Sequence, residues 1–339
     1  MQVTKEGSVR VDLLGGTIDL WPINLIIPHA KTLNLATSLK AKVKIESSDF
    51  NGIEINSKEY KTSVQICAEE LNDENIYQKN IFNELSFIVQ ILDALECRSH
   101  LKIELSSMIP AGSGLGGSSA MGVTLIEALL AFKKLTWSKQ DIIRTCMNIE
   151  ARILNRGPAG YQDYYPALYA GVLSIAPTKR GDLEVKQLYS EKMASFLEKH
   201  LSIVSSGIAR NSGINNWEVY KGFFDQPTTK KGLQDIARLS HQAYIAIENE
   251  DYPLVLELIK KEGLERKMLF PNIVVPEIIS LFEEFRKLDA TCGLKACGAG
   301  GGGCYLFVHQ EDQKENLRQL ARKSSMELLN FKIEKPKLE

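Results

Sequence analysis

Hydrophobic and polar positions alternate first at Ser8–Leu14, where apolar Val9, Val11 and Leu13 are interleaved with Arg10 and Asp12, the period of a strand; Gly15–Gly16 then breaks it. Two more strands are predicted at Asn34–Thr37 and Ala41–Ile45, followed by a polar stretch from Glu46 to Lys61. Ile76, Ile81, Leu85, Ile88, Val89, Leu92 and Leu95 fall on one face of an amphipathic helix. Leu101, Ile103 and Leu105 alternate with Lys102, Glu104 and Ser106, a half-buried strand; from Ser119 to about Lys134 small and aliphatic residues run with few charges, a buried helix. Ser138–Lys139–Gln140–Asp141 reads as a capping box opening a helix through Ile142, Ile143, Cys146 and Ile149. Val172–Ile175 is a predicted strand, and around Leu188–Lys199 the composition turns polar and helical, which predicts a domain boundary near 178–200. Leu201–Val204 is the next strand. Helical periodicity then covers Leu233–Ile247, Leu254–Ile259, Ile278–Phe285 and Asp312–Lys323, before a strand at Met326–Ile333 and a charged tail.

Between the strand at Leu101–Leu105 and the helix from Ser119 lies Ile109-Pro-Ala-Gly-Ser-Gly-Leu-Gly-Gly-Ser-Ser-Ala-Met121, with four glycines in the six residues 112–117. Glycines let the backbone approach a ligand and adopt positive φ, and the following helix start offers free N–H groups and a positive dipole end. Together they favour an anion such as phosphate. A Walker A loop needs Gly-Lys-Ser/Thr, and no lysine lies between Pro110 and Ala131. Gly112, Gly114 and Gly117 satisfy G-x-G-x-x-G, but a dinucleotide site wants a parallel strand after the helix, where this chain has a second helix.

Composition narrows the classes further. The 339 residues are enough for two domains with sizeable cores. Lysine plus arginine (41) nearly balances aspartate plus glutamate (42), so no global field draws nucleic acid or an anionic membrane. No apolar run approaches ~18 residues and residues 1–16 lack a signal-peptide core, so neither export nor a membrane span is expected. Six scattered cysteines without a C-x-x-C pair predict free thiols in a reducing cytoplasm rather than a zinc site or disulfide framework.

The run P-x-G-x-G-L-G-x-S-[SA]-A at 110–120 resembles the phosphate loop of the GHMP kinases, the superfamily of galactokinase, homoserine kinase and mevalonate kinase, with Gly117 where many members carry a first serine. Arg10-Val-Asp-Leu-Leu-Gly-Gly-Thr-Ile-Asp19 is similar to the first motif of that superfamily. Gly298-Ala-Gly-Gly-Gly-Gly303 is similar to the third. Gly160-x-Gln162-Asp163-x-Tyr165 followed by Ala170–Gly171 resembles the catalytic loop of the heptose-7-phosphate kinases, a sugar branch, with Tyr164 where those usually have glutamine; Ser206-Gly207-x-x-Arg210-x-Ser212 resembles the same branch.

The resemblance implies an α+β architecture: an N-terminal domain like domain 2 of ribosomal protein S5 over 1–185 and a ferredoxin-like C-terminal domain over 186–339, with the site between them. It implies ATP on Pro110, Gly112, Ser113, Gly114, Leu115, Gly116, Gly117, Ser118 and Ser119, and Mg²⁺ on Ser118 and Glu150. Asp163 and Arg10 are the implied catalytic pair. Gly16, Thr17, Asp19, Gln162, Asp163, Tyr165, Arg210, Gly301 and Gly302 are the implied substrate contacts. The expected reaction is transfer of the γ-phosphoryl group to a hydroxyl of a small-molecule sugar or sugar phosphate, heptose-7-phosphate-like at the anomeric position. The protein would be cytoplasmic, with no nucleic-acid or membrane partner, and homodimerisation is left open. A galactokinase would carry Gly-Glu-His-Thr-Asp where this chain has Gly15-Gly-Thr-Ile-Asp19. A mevalonate-like kinase would want a lysine in place of Arg10, and a non-catalytic sensor on this fold would lose the acids at 150 and 163.

Overall fold

The structure, a computed structural model, describes residues 1–58, 61–79, 81–154, 160–208 and 215–337. Up to residue 187 the chain forms β1 (Gln2–Leu14), α1 (Ile23–Ile26), β2 (Thr32–Ser47), β3 (Gly52–Ser57), β4 (Thr62–Cys67), α2 (Ser86–Ala94), β5 (Leu101–Ser107), α3 (Gly117–Lys133), α4 (Lys139–Leu154), α5 (Tyr165–Tyr169), β6 (Val172–Pro177) and β7 (Leu183–Gln187). After it come α6 (Glu191–His200), β8 (Leu201–Ser205), α7 (Asn216–Asp225), α8 (Pro227–Glu248), α9 (Tyr252–Leu269), α10 (Pro276–Arg286), β9 (Gly293–Ala296), β10 (Cys304–Val308), α11 (Lys314–Lys323) and β11 (Glu327–Leu329).

One long strand organises the first sheet. The strands expected at 34–37 and 41–45 are a single β2, which pairs antiparallel with β1 along one edge and with β5 and β6 along the other. The sheet runs β4-β3-β5-β2-β6-β7, with β1 also on β2. The alternation in β1 fixes what faces what. Val9, Val11 and Leu13 are fully buried in the core, and the intervening Arg10 and Asp12 face Cys297 and Lys295. Helix α3 packs on β1 and β2 and is buried nearly all round, as its uncharged sequence requires.

Two expectations change here. The polar stretch 46–61 carries β3, whose Ile53 and Ile55 enter the core while Glu54 and Asn56 alternate outward; it forms a hairpin with β4 and runs parallel to β5. The helix expected over 76–95 is broken: a wide π turn at Glu74–Lys79 and a tight turn at Asn83–Leu85 precede α2.

The second sheet is antiparallel in the order β11-β8-β10-β9, with α9 packed on β9. Helix α7, which the periodicity did not predict, starts at Asn215, whose side chain accepts the Trp217 N–H. The last segment leaves β11 after Leu329, makes a bridge from Ile333 to Thr37 and hydrogen-bonds Lys337 N to the Tyr169 carbonyl, so it returns to the first sheet. No helix among the described residues is long and apolar enough to cross a membrane.

Candidate active site

Strand β5 delivers the chain into the glycine loop, and Gly112, Gly114 and Gly116 there take φ of 72°, 76° and 71°. These left-handed values let the loop turn back over the start of α3, a geometry that L side chains resist. Helix α3 begins at Gly117, two residues before the expected Ser119, and no side chain caps it, so its first N–H groups stay available to a ligand. This end opens into a cleft with a cavity volume of about 350 Å³, lined also by Asn216, Arg266, Gly298 and Ala299 from the later part of the chain.

Pro110, Gly112, Ser113, Gly114, Gly116, Gly117, Ser118 and Ser119 line the cleft. Leu115 does not: its side chain is fully buried in the core, while its carbonyl accepts the Arg10 N–H at 3.0 Å. Ser118 is exposed at the helix end, whereas Ser119 is buried and donates to Glu150 Oε2 at 2.8 Å. Tyr164 donates to the same oxygen at 2.6 Å. Burial raises the Glu150 pKa, and the hydrogen bonds from Tyr164, Ser119 and Ser118 pull against it. Tyr164 drew attention in the sequence only as a departure from a motif; here it orients the cleft's buried glutamate. Ser118 and Glu150 face one space with oxygen donors, which suits a hard cation that takes its other ligands from phosphate and water.

Arg10 and Asp163 meet over the glycine loop. Arg10 Nε and Nη2 lie 2.8 and 2.7 Å from Asp163 Oδ1, and Nη1 donates to the carbonyls of Gly114 and Cys297, both at 2.7 Å. Asp163 is packed so close that a Cβ on Gly116 would sit 3.4 Å from its Cβ and Cγ. Its side chain remains 31% exposed, toward the cleft.

Beyond Asp163 lie Thr17, Asp19, Gly160 and Gln162. Asp19 is buried, accepts the Gln162 N–H at 3.2 Å and has its carboxyl pushed up to about 7, mainly by burial and then by the charge of Asp163. Gly160 packs against it: an added Cβ would fall 2.2 Å from Asp19 Oδ2. Gln162 Oε1 is buried with no hydrogen-bond partner among the described residues.

Several expected contacts stand outside the cleft lining. Gly16 is one layer back, donating to Asp12 Oδ1 at 3.2 Å. Tyr165 is a core residue; it opens α5, donates to Gln140 Oε1 at 3.1 Å and stacks on Tyr169. Gly301 and Gly302 anchor the far side of their loop, to the Ile273 carbonyl and the Tyr305 hydroxyl, while Gly298 and Ala299 line the cleft instead. Arg210 lies outside the described residues. Sequence reading missed Asp12, Asn216 and Arg266, which also line the cleft. Asp12 carried a signal, since residues i and i+2 of a strand share a face and Arg10 was already singled out. Arg266 carried none, because nothing local says that α9 faces β1.

Comparison with known proteins gives the family and the fold. The GHMP kinases N terminal domain matches residues 84–171, and the GHMP kinases C terminal domain matches 229–324. The L-fucokinase/L-fucose-1-P guanylyltransferase of Bacteroides fragilis is 26% identical over 92% of this chain, but this chain spans only 35% of that protein's length. The D-glycero-alpha-D-manno-heptose 7-phosphate kinase of Campylobacter jejuni is 24% identical, covering 98% of this chain and 97% of that one. The crystal structure of the Methanococcus jannaschii mevalonate kinase has the same fold, with a TM-score of 0.77, 99% of both chains covered and 19% identity.

Proposed function

Since the chain belongs to the GHMP kinases, we propose that it is an ATP-dependent sugar kinase, transferring the γ-phosphoryl group to a hydroxyl of a sugar or sugar phosphate, the anomeric hydroxyl of a heptose-7-phosphate-like substrate first among them. The observation that carries it is the convergence of Asp163, held by Arg10, with the uncapped start of α3 in one cleft.

The loop and helix end offer backbone N–H groups to a triphosphate, with no reorganisation needed when charge develops. Ser118 and Glu150 would hold Mg²⁺, which when bound offsets charge on the phosphate oxygens. Asp163 orients the acceptor hydroxyl and takes its proton as the new oxygen–phosphorus bond forms and the bond to the β–γ bridging oxygen breaks, leaving ADP. Arg10 fixes the Asp163 carboxylate by two contacts to one oxygen and places cationic charge beside the moving phosphoryl group. Asp19 and Gln162 supply acceptors for sugar hydroxyls, and Gln162 Oε1 has no hydrogen-bond partner among the described residues.

An unphosphorylated sugar is a second reading, supported by a specific feature. Arg10 and Arg266, the cations that line the cleft among the described residues, are both engaged by protein carbonyls or carboxylates, and the acceptor end offers Thr17, Asp19 and Gln162. Arg156 and Arg210 lie outside the described residues. A panel of sugars and sugar phosphates with ATP and Mg²⁺, read by coupled ADP release, tests both. Turnover of a heptose 7-phosphate supports the first reading, and turnover of free sugars alone supports the second. Turnover of mevalonate or homoserine with no sugar accepted overturns both.

A further inference from the structure

Behind the cleft four charged side chains meet away from water. Asp12 comes from β1, Glu262 and Arg266 from α9, and Lys295 from β9, and none is more than 2% exposed. Lys295 Nζ lies 3.0 Å from Asp12 Oδ2 and 3.0 Å from Glu262 Oε1, and it donates to the carbonyls of Asp12 and Leu13. Glu262 Oε2 accepts the Gly15 N–H at 2.7 Å. Buried ion pairs of this kind are a poor source of stability, since apolar residues of similar volume would join two domains without the desolvation cost. Their presence asks for another reason.

The hydrogen bonds of Arg266 supply one. Its guanidinium stays 3.5 Å from Asp12 Oδ2 and instead donates Nη1 to the Ala296 carbonyl at 2.8 Å and Nη2 to the Gly298 carbonyl at 2.7 Å. The carbonyl between them, Cys297, is taken by Arg10 from β1. Three successive carbonyls at the root of the C-terminal glycine loop are therefore held by two guanidinium groups. A planar trans peptide points its N–H opposite its carbonyl, so holding the Gly298 carbonyl also fixes the Ala299 N–H. Gly298 is pressed on the first loop: an added Cβ would lie 2.7 Å from the Gly114 carbonyl oxygen.

We propose that Arg266 is a positioning residue for phosphoryl transfer, fixing the peptide planes at 296–299 so that the second glycine loop joins the first around the phosphates. The proposal rests on the kinase reading of the cleft. Arg266→Lys keeps a cation near Asp12 but cannot fork to two carbonyls two residues apart. The test compares this variant with wild type in steady-state kinetics, thermal melting and amide hydrogen exchange over 296–300, with and without a non-hydrolysable ATP analogue and Mg²⁺. The expected result is a fall in kcat of at least ~10-fold, with acceptor KM changed less than ~2-fold and the melting temperature nearly unchanged, because small misplacements at a reacting centre are costly in rate. Nucleotide-dependent protection at 298–300, present in wild type, should be lost in the variant. Unchanged kinetics, or a lower melting temperature with kcat per folded enzyme intact, overturns the proposal. So does the absence of nucleotide-dependent protection in wild type. Exchange is measured without acceptor, so loss of protection in the variant alongside a wild type that turns over no alcohol supports the positioning role and instead removes the kinase reading.

Discussion

The two glycine loops of this protein meet at one cleft but lead into different elements and are anchored differently. The loop at 110–117 is turned by three glycines at positive φ, one of its carbonyls, that of Gly114, is taken by Arg10, and the helix it feeds supplies the dipole and free N–H groups. The loop at 297–303 also turns on glycines at positive φ, 300 to 303, but it feeds a strand, which has no such dipole, and the carbonyls at its root are held by Arg10, 287 residues earlier in the chain, and by Arg266. A local loop can be read and broken locally. A loop held by distant side chains inherits its geometry from the packing of the whole molecule.

Substitutions that strike each loop separately sharpen this contrast, and the largest effect is expected in the first. Gly116→Val puts a β-branched side chain at φ 71°, within 3.4 Å of both Arg10 and Asp163. Turnover should fall by at least ~10²-fold with ATP affinity lost as well, measured by coupled ADP release and calorimetric titration. In the second loop, Gly298→Ala drives a Cβ into the Gly114 backbone, and the loops must part. A kcat loss nearer ~10-fold is expected, with acceptor KM little changed. If Gly298→Ala proves silent, the loops do not act together.

A smaller and pH-dependent effect is expected at the acceptor end, away from both loops. The Asp19 carboxyl titrates at about 7 in the fold against an ordinary ~3.9, because burial and the neighbouring Asp163 charge oppose ionisation. Between those values the native state holds a proton that the unfolded chain has released, so this group lowers stability as pH rises through the window, with its full cost present above 7. Asp19→Asn should therefore raise the melting temperature most at pH 8 and hardly at all near pH 4. The same variant should raise acceptor KM, and the wild-type rise in kcat/KM for acceptor through pH ~7 should flatten. A melting gain that is constant with pH contradicts the assignment.

How much of this was legible in the sequence follows the same division between local and distant. The alternation at Leu101–Leu105 and the glycines after it carried β5, the loop and α3, because each depends on neighbours within a few residues. The hairpin of β3 and β4 was hidden although Ile53 and Ile55 alternate properly, since serine, asparagine and lysine around them read as loop until β5 is there to pair with. Asp163 and Glu150 could be nominated from a motif, but that Tyr164 holds Glu150 appears only once α4 and the following loop are packed together. Tyr165, in the same motif, belongs to the core. Arg266 and Glu262 sit one helical turn apart on α9 and look like an ordinary i, i+4 pair. Their partners on β1 and β9 are set by domain packing, which no local pattern encodes.

The central claim is that Asp163, held by Arg10 beside the phosphate loop, serves the acceptor alcohol. Turnover and nucleotide affinity measured side by side for Asp163→Asn test it most directly. A loss of at least ~10²-fold in kcat with ATP affinity nearly intact is the predicted result. Wild-type turnover in that variant, or a loss explained entirely by weaker ATP binding, would contradict it.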